Sequence, residues 1–266
     1  MLDLINIHKT FNLGTVNEKQ ALCGVNLHLD EGDFVTVIGS NGAGKSTMLN
    51  AIAGVWPVDD GQIIIDGKDV TAYPEHKRAL MLGRVFQDPM TGTAATMGID
   101  ENLALAYRRG QPRVIFRRGI KRKEREHYRE LLAGLNLGLE DRMSAKVGTL
   151  SGGQRQALTL LMATVKRPKI LLLDEHTAAL DPKTAAKVLE ATEQIIDEQH
   201  LTALMVTHNM KDAIVHGNRL VMMKDGRVIL DISGEEKKKL TVEDLLEKFS
   251  VAADGEEFAN DRMILG

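Results

Sequence analysis

One eight-residue run constrains this chain more than any other. Gly39-Ser40-Asn41-Gly42-Ala43-Gly44-Lys45-Ser46 fills every fixed position of the pattern G-x-x-x-x-G-K-[ST]. Directly before it stands Phe34-Val35-Thr36-Val37-Ile38, apolar or β-branched throughout, which predicts a strand buried on both faces. Directly after it, residues 46–54 read as a helix. The glycines let consecutive backbone N–H groups turn into a concave anion nest, and the following helix adds its positive end. Lys45 is then within reach of the β- and γ-phosphates of a nucleotide, and the Ser46 hydroxyl can ligate magnesium. Ser40, Asn41, Gly42, Ala43, Gly44, Lys45, Ser46 and Thr47 are accordingly the expected phosphate-binding residues.

The rest of the chain extends this strand–turn–helix unit. Residues 2–7, 25–29 and 62–65 read as strands, the first two by strict alternation, and predict a small β layer near the N-terminus. From about 91 to 165 the pattern turns helical, most clearly over 101–106 and 128–137. A strand over 169–173, a helix over 184–199 and a strand over 201–206 then restore the α/β rhythm. Residues 219–223 and 228–231 form a hairpin about Asp225-Gly226, and Thr241 caps a helix running to Phe249. The expected architecture is α/β: a P-loop NTPase core with a small antiparallel β layer and a helical insert. Its main domain is expected over 1–246, with the helical part about 90–165, and a C-terminal tail over 247–266.

Composition excludes several classes. A formal charge of -3 argues against a nucleic-acid partner, which normally meets a basic face. One cysteine, Cys23, leaves no intrachain disulfide and fits a reducing cytosol. No eighteen apolar residues run together and no signal sequence leads the chain, so a role at a membrane has to be exercised through a partner.

Ile170-Leu171-Leu172-Leu173-Asp174-Glu175 sets two carboxylates at the exit of a buried strand. Asp174 is placed to hold magnesium and Glu175 to orient and polarise a water for in-line attack on a γ-phosphate. Cradle and acids together imply an NTPase without saying which kind. Leu150-Ser151-Gly152-Gly153-Gln154-Arg155-Gln156 decides that question. Physically it is a second anion site, a serine and two glycines opening a helix. It resembles the signature of the ATP-binding cassette (ABC) family and stands just upstream of the acidic strand, as in that family.

The resemblance runs from about residue 2 to 231 and implies further roles. Val85-Phe86-Gln87-Asp88 looks like the family's Q-loop, with Gln87 linking the γ-phosphate and magnesium region to the helical insert. Ala179-Leu180-Asp181-Pro182 looks like the D-loop, which places Asp181 at a dimer interface. His208 matches the switch histidine that touches the γ-phosphate, and Phe11 stands where an aromatic ring stacks on adenine. The implied cofactors are ATP and Mg2+, with Ser46, Gln87 and Asp174 on the metal. The implied assembly is a head-to-tail homodimer, each ATP lying between one cradle and residues 151–154 of the other copy. It works on a separate integral membrane permease, with a solute-binding protein as an indirect partner, at the cytoplasmic face of the cell membrane. A cassette ATPase of a soluble assembly complex is the alternative.

Two features fall outside the family pattern. His176 stands where the family most often has proline, which would restrict Glu175 to extended backbone. If histidine merely replaces that proline, His176→Pro is expected to leave turnover nearly unchanged. The run His176-Thr177-Ala178-Ala179-Leu180-Asp181-Pro182 resembles a branch of importer ATPases associated with solute-binding proteins and amino-acid uptake. Separately, residues 108–125 hold nine basic residues against the single acidic Glu124. They form either a solvated face or a surface for anionic lipid or acidic permease loops.

Overall fold

The computed structural model describes residues 1–110 and 119–252. In chain order the elements are β1 (Leu2–Phe11), β2 (Lys19–Leu29), β3 (Phe34–Gly39), α1 (Lys45–Ala53), β4 (Asp60–Ile65), β5 (Lys68–Asp69) and α2 (Glu75–Arg78). There follow β6 (Leu82–Val85), α3 (Ile99–Tyr107), α4 (Arg122–Ala133), a 3-10 turn at Val147–Thr149, α5 (Gly152–Thr164), β7 (Ile170–Asp174) and α6 (Pro182–Gln199). The chain closes with β8 (Ala203–Val206), α7 (Met210–Val215), β9 (Arg219–Lys224), β10 (Arg227–Ser233), α8 (Gly234–Lys238) and α9 (Val242–Ala252).

These elements form two compact units, one of Met1–Glu75 with the chain from Thr202 onward, the other of His76–Leu201. In the first unit the alternating N-terminal strands build an antiparallel sheet in the order β2-β1-β4-β5. Asn6, at φ 51°, interrupts the register of β1, so one face stays buried along its early half and its end turns outward. The apolar run 34–38 becomes β3, which pairs in parallel with both β8 and β9. β9 continues into β10 through Asp225 and Gly226, both at positive φ as a two-residue hairpin turn requires.

On this sheet Ile38, Leu220, Met222 and Ile232 share a core with Leu245 and Phe249 of α9. Helix α9 opens on a reciprocal cap in which Thr241 and Asp244 bond each other's backbone N–H. It runs across the expected boundary at 246/247, so the described part of the tail is helical and packed.

In the second unit β6 and β7 pair in parallel, Leu82 to Ile170 and Val85 to Leu173. Leu171, Leu172 and Leu173 are fully buried, each contributing about 2 kcal/mol by leaving water. α3, α4, the 3-10 turn and α5 occupy the stretch read as helical. Strand β6, four residues long, carries too short a signal to be read from sequence alone. Helix α4 starts earlier than the pattern suggests and ends at Ala133, before Gly134. Of the basic segment, residues 111–118, with Arg117 and Arg118, lie outside the described residues. The described part is knitted internally: Arg108 pairs with Glu124 at 3.0 Å and Arg125 with the buried Asp100 at 2.5 Å.

Candidate functional site

The first unit presents the phosphate cradle. Gly39, Gly42 and Gly44 all adopt positive φ, at 152°, 82° and 100°. At Gly39 a Cβ would stand 2.1 Å from the Met223 carbonyl oxygen, and at Gly44 2.5 Å from that of Ala21. Glycine is therefore required by space as well as by conformation. The loop is braced from outside itself: Gly226 donates its N–H to the Ala43 carbonyl at 3.1 Å and accepts from Cys23 N–H at 2.8 Å. The hairpin turn after β9 is thus part of the cradle, a role its Asp-Gly pair alone did not announce.

Helix α1 begins at Lys45 behind Gly44, a glycine that supplies no side-chain cap to it. A helix start of this kind leaves backbone N–H groups that suit an anion. Lys45 is 5% exposed and donates to the Gly39 carbonyl at 2.6 Å and the Ser40 carbonyl at 3.0 Å. Its charge is held inside the loop. Asn41, Gly42 and Ser46 are exposed around it, with Ser40 and Thr47 half-buried.

His208 belongs to the same unit. β3 and β8 run in parallel with Val37 opposite Val206, so the chain reaches Gly39 and His208 at the same level. Thr207 N–H bonds the Val37 carbonyl at 3.1 Å and fixes the strand end. Asn209 then caps α7, accepting from Lys211 and Asp212 N–H. His208 is left exposed at the cradle end of the sheet. Phe11, half-buried at the end of β1, meets Trp56 edge to face at 4.8 Å. Asp59 ties the same loop to β1 through Lys9 Nζ at 2.7 Å and Thr10 N–H at 2.5 Å.

The second unit brings Gln87, Asp174 and Glu175 together. Val85 lies opposite Leu173, so Gln87 and Glu175 leave neighbouring strand ends at equal height. Arg84, which the motif search passed over, lies on β6 and reaches Asp174 Oδ2 at 3.3 Å while stacking on Phe86 at 4.5 Å. Glu175 is at φ 45°, a left-handed backbone uncommon outside glycine. This is not the extended geometry a following proline favours. His176 is buried at 2% exposure and bonds Thr192 Oγ1 at 3.1 Å. The side chain at 176 therefore occupies the interior, a contact with α6 that proline could not make.

The signature opens α5. Ser151 Oγ accepts from Gln154 N–H at 3.3 Å, and Gln154 Oε1 accepts from Ser151 N–H at 3.2 Å, a reciprocal cap. Ser151 and Gly152 are exposed, and Gly153 is buried against Thr184 of α6. Asp181 caps α6 by accepting from Thr184 N–H at 3.1 Å, and hydrogen bonding from the Thr184 side chain, then from its backbone, holds the carboxyl below the usual aspartate value. Gln156 donates to the Phe86 carbonyl at 3.1 Å and so joins α5 to the segment carrying Gln87.

Ser46, Gln87 and Asp174 offer hydroxyl, amide and carboxylate oxygens, the donors a magnesium ion prefers. Among the described residues no group of three His, Cys, Asp or Glu side chains forms a closed metal cage.

Comparison with known proteins identifies the family. The family model described as ABC transporter matches residues 22–178, more than half of the chain. The "Tyrosine transport ATP-binding protein" of Clostridioides difficile (strain R20291) is 44% identical over 252 residues, covering 95% of this chain and 100% of that one. A dimeric post-hydrolysis structure of the ATP-binding cassette MJ0796, bound to ADP and Pi, superposes with a TM-score of 0.72 at 31% identity. It covers 88% of this chain and 98% of its own. The ADP conformation of the cassette MJ1267 gives 0.75 at 26% identity over 94% and 98%. This chain belongs to the ABC transporter family as an ATP-binding subunit, an ATPase that couples nucleotide hydrolysis to transport.

Proposed function

We propose that two copies of this chain close head to tail on two ATP molecules and drive uptake of an amino acid through a separate membrane permease. The observation that carries the dimer is the exposed start of α5: a second helix terminus opening on glycine, with Ser151 and Gly152 at the surface, in a chain that already has a complete cradle motif. A nucleotide needs one cradle, so the second terminus is of use to the ATP of another copy. Full-length similarity to a relative named for tyrosine transport supports the amino-acid class. Among the described residues no helix is long and apolar enough to cross a membrane, which fits a subunit docked on a permease at the cytoplasmic face. A solute-binding protein is its indirect partner.

In this reading Phe11 stacks on adenine, and residues 40–47 hold the phosphates. Lys45 compensates charge at the β- and γ-positions. Ser46, Asp174 and Gln87 would hold magnesium, which would supply positive charge at the phosphates. Arg84 shares Asp174 with that ion. Glu175 orients and polarises the attacking water, and His208 contacts the γ-phosphate. Ser151, Gly152, Gly153 and Gln154 complete the site from the other copy, with Asp181 at the interface.

Glu175→Gln tests this arrangement. Glutamine keeps the shape, removes the water-polarising charge and leaves binding in place, so turnover is expected to fall at least 100-fold. Gel filtration should then show a dimer with ATP and a monomer with ADP or no nucleotide. A variant that remains monomeric with ATP in low-salt, magnesium-free buffer overturns the sandwich. Rapid turnover would remove Glu175 from the role.

A further inference from the structure

His176, among the described residues beside the acidic strand end, is a buried ionisable side chain that this mechanism does not use. Its surroundings fix its chemistry. Thr192 is fully buried on α6, and its hydroxyl donates to the Val188 carbonyl at 2.7 Å, one helical turn back. A hydroxyl has a single hydrogen, so Thr192 can only accept from His176, at 3.1 Å. Nε2 of His176 therefore carries the proton and donates, which sets both the tautomer and the plane of the ring.

The residue thus anchored follows the strained one. Glu175 holds φ 45°, a conformation that persists only where the neighbouring structure dictates it. Before it, Asp174 ends a buried strand and is tied to Arg84. After it, the Glu175 carbonyl accepts from Ala178 N–H at 3.0 Å, closing a tight turn. His176 is the side chain of that turn that enters the interior and reaches α6. Released from α6, the turn would be free to return residue 175 to an extended backbone, and its carboxylate would swing with it.

We infer that His176 is a positioning residue for Glu175, locked onto α6 by the Nε2–H to Thr192 Oγ1 hydrogen bond. The inference rests on the reading of Glu175 as the group that activates water. It assigns to histidine, through a side chain reaching across to a helix, the loop restraint that proline would exert through its ring.

The test uses the purified full-length chain in a steady-state Mg-ATP hydrolysis assay, with melting temperature followed in parallel. Thr192→Val keeps the shape of the side chain and removes the acceptor. It should lower kcat on the order of tenfold while leaving KM for ATP within about twofold, because loss of alignment affects the chemical step and leaves the cradle alone. Thr192→Ser keeps the hydroxyl and should return kcat to within about twofold of wild type. In the Glu175→Gln background, Thr192→Val should cause no further loss, since the group it aligns is already disabled.

A second pair guards against a misfolded valine variant. His176→Gln retains a donor of similar reach and should exceed His176→Leu in kcat about fivefold or more. Wild-type kcat in a folded Thr192→Val protein, or equal rates for the glutamine and leucine variants, overturns the inference. So does a loss in Thr192→Val that serine does not avoid. If Glu175→Gln itself turns over at the wild-type rate, the failure lies with the underlying reading of Glu175. If Glu175→Gln is inactive while Thr192→Val is not impaired, only the positioning role of His176 fails.

Discussion

Helices α1 and α5 both start at glycine-containing turns, yet their N-termini are finished in opposite ways. α1 follows a glycine in left-handed conformation, lacks a side-chain cap among the described residues, and carries a buried lysine as its first residue. α5 follows a serine in extended conformation and spends part of its donor capacity on its own Ser151–Gln154 cap. Arg155, in the first turn of α5, turns back to the carbonyls of Val147, Gly148 and Leu150. The first terminus thus has a glycine in place of a capping side chain and brings its own counter-charge. The second is complete without a ligand and has to trade a cap for a phosphate. In the proposed sandwich the first would hold a nucleotide and the second would meet one that is already held.

The glycines offer the sharpest way to break this comparison. Gly39 and Gly153 would each place a Cβ 2.1 Å from another atom, but the atoms differ in kind. At Gly39 the obstacle is the Met223 backbone carbonyl in a paired strand, and the φ of 152° adds strain. Gly39→Ala is expected to destabilise by about 3–5 kcal/mol, read as a fall in Tm on the order of 10 °C, and to abolish nucleotide binding.

Lys45→Ala comes next. It should leave Tm near wild type and reduce kcat/KM about 100- to 1000-fold, roughly 3–4 kcal/mol of transition-state stabilisation. A rate near wild type would mean that the cradle is not the hydrolytic site.

At Gly153 the obstacle is Thr184 Cγ2, one branch of a side chain. Gly153→Ala should cost about 1–2 kcal/mol. Adding Thr184→Ser removes the blocking methyl and should restore most of it. Denaturant titration of the single and double variants measures both. A double variant no more stable than the single one would show that the helices are held apart by something other than that methyl.

What the sequence made legible follows from how local each device is. The cradle, the acidic strand end and the signature are each written in eight or fewer consecutive residues, and the structure builds the corresponding nest, strand exit and helix cap. The buried strands 34–38 and 169–173 were equally plain, because a run that is apolar on both faces needs no partner to be recognised. The supports were not legible. Gly226 under Ala43, Arg84 on Asp174 and Thr192 behind His176 lie 183, 90 and 16 residues from what they support, and tertiary folding alone makes them neighbours. His176 shows the limit most clearly. Its departure from the family pattern was visible, but whether histidine was indifferent or functional depended on whether its ring pointed in or out, which no local pattern specifies.

The smallest effect on stability is expected at Ser151, and it separates the two duties assigned to the start of α5. As a cap, Ser151 accepts from Gln154 N–H, and aspartate does that as well while adding a favourable charge at a helix N-terminus. Ser151→Asp should therefore unfold within about 0.5 kcal/mol of wild type, whereas Ser151→Ala should lose about 1 kcal/mol. As an anion site the order reverses. A carboxylate at the mouth of α5 repels an approaching γ-phosphate, while alanine only removes one donor. Placed in the Glu175→Gln background and sized by gel filtration with ATP, Ser151→Asp should stay monomeric and Ser151→Ala should retain part of the dimer. If the aspartate variant dimerises as readily as its parent, α5 opens on a cap and nothing more, and the contrast with α1 loses its functional meaning.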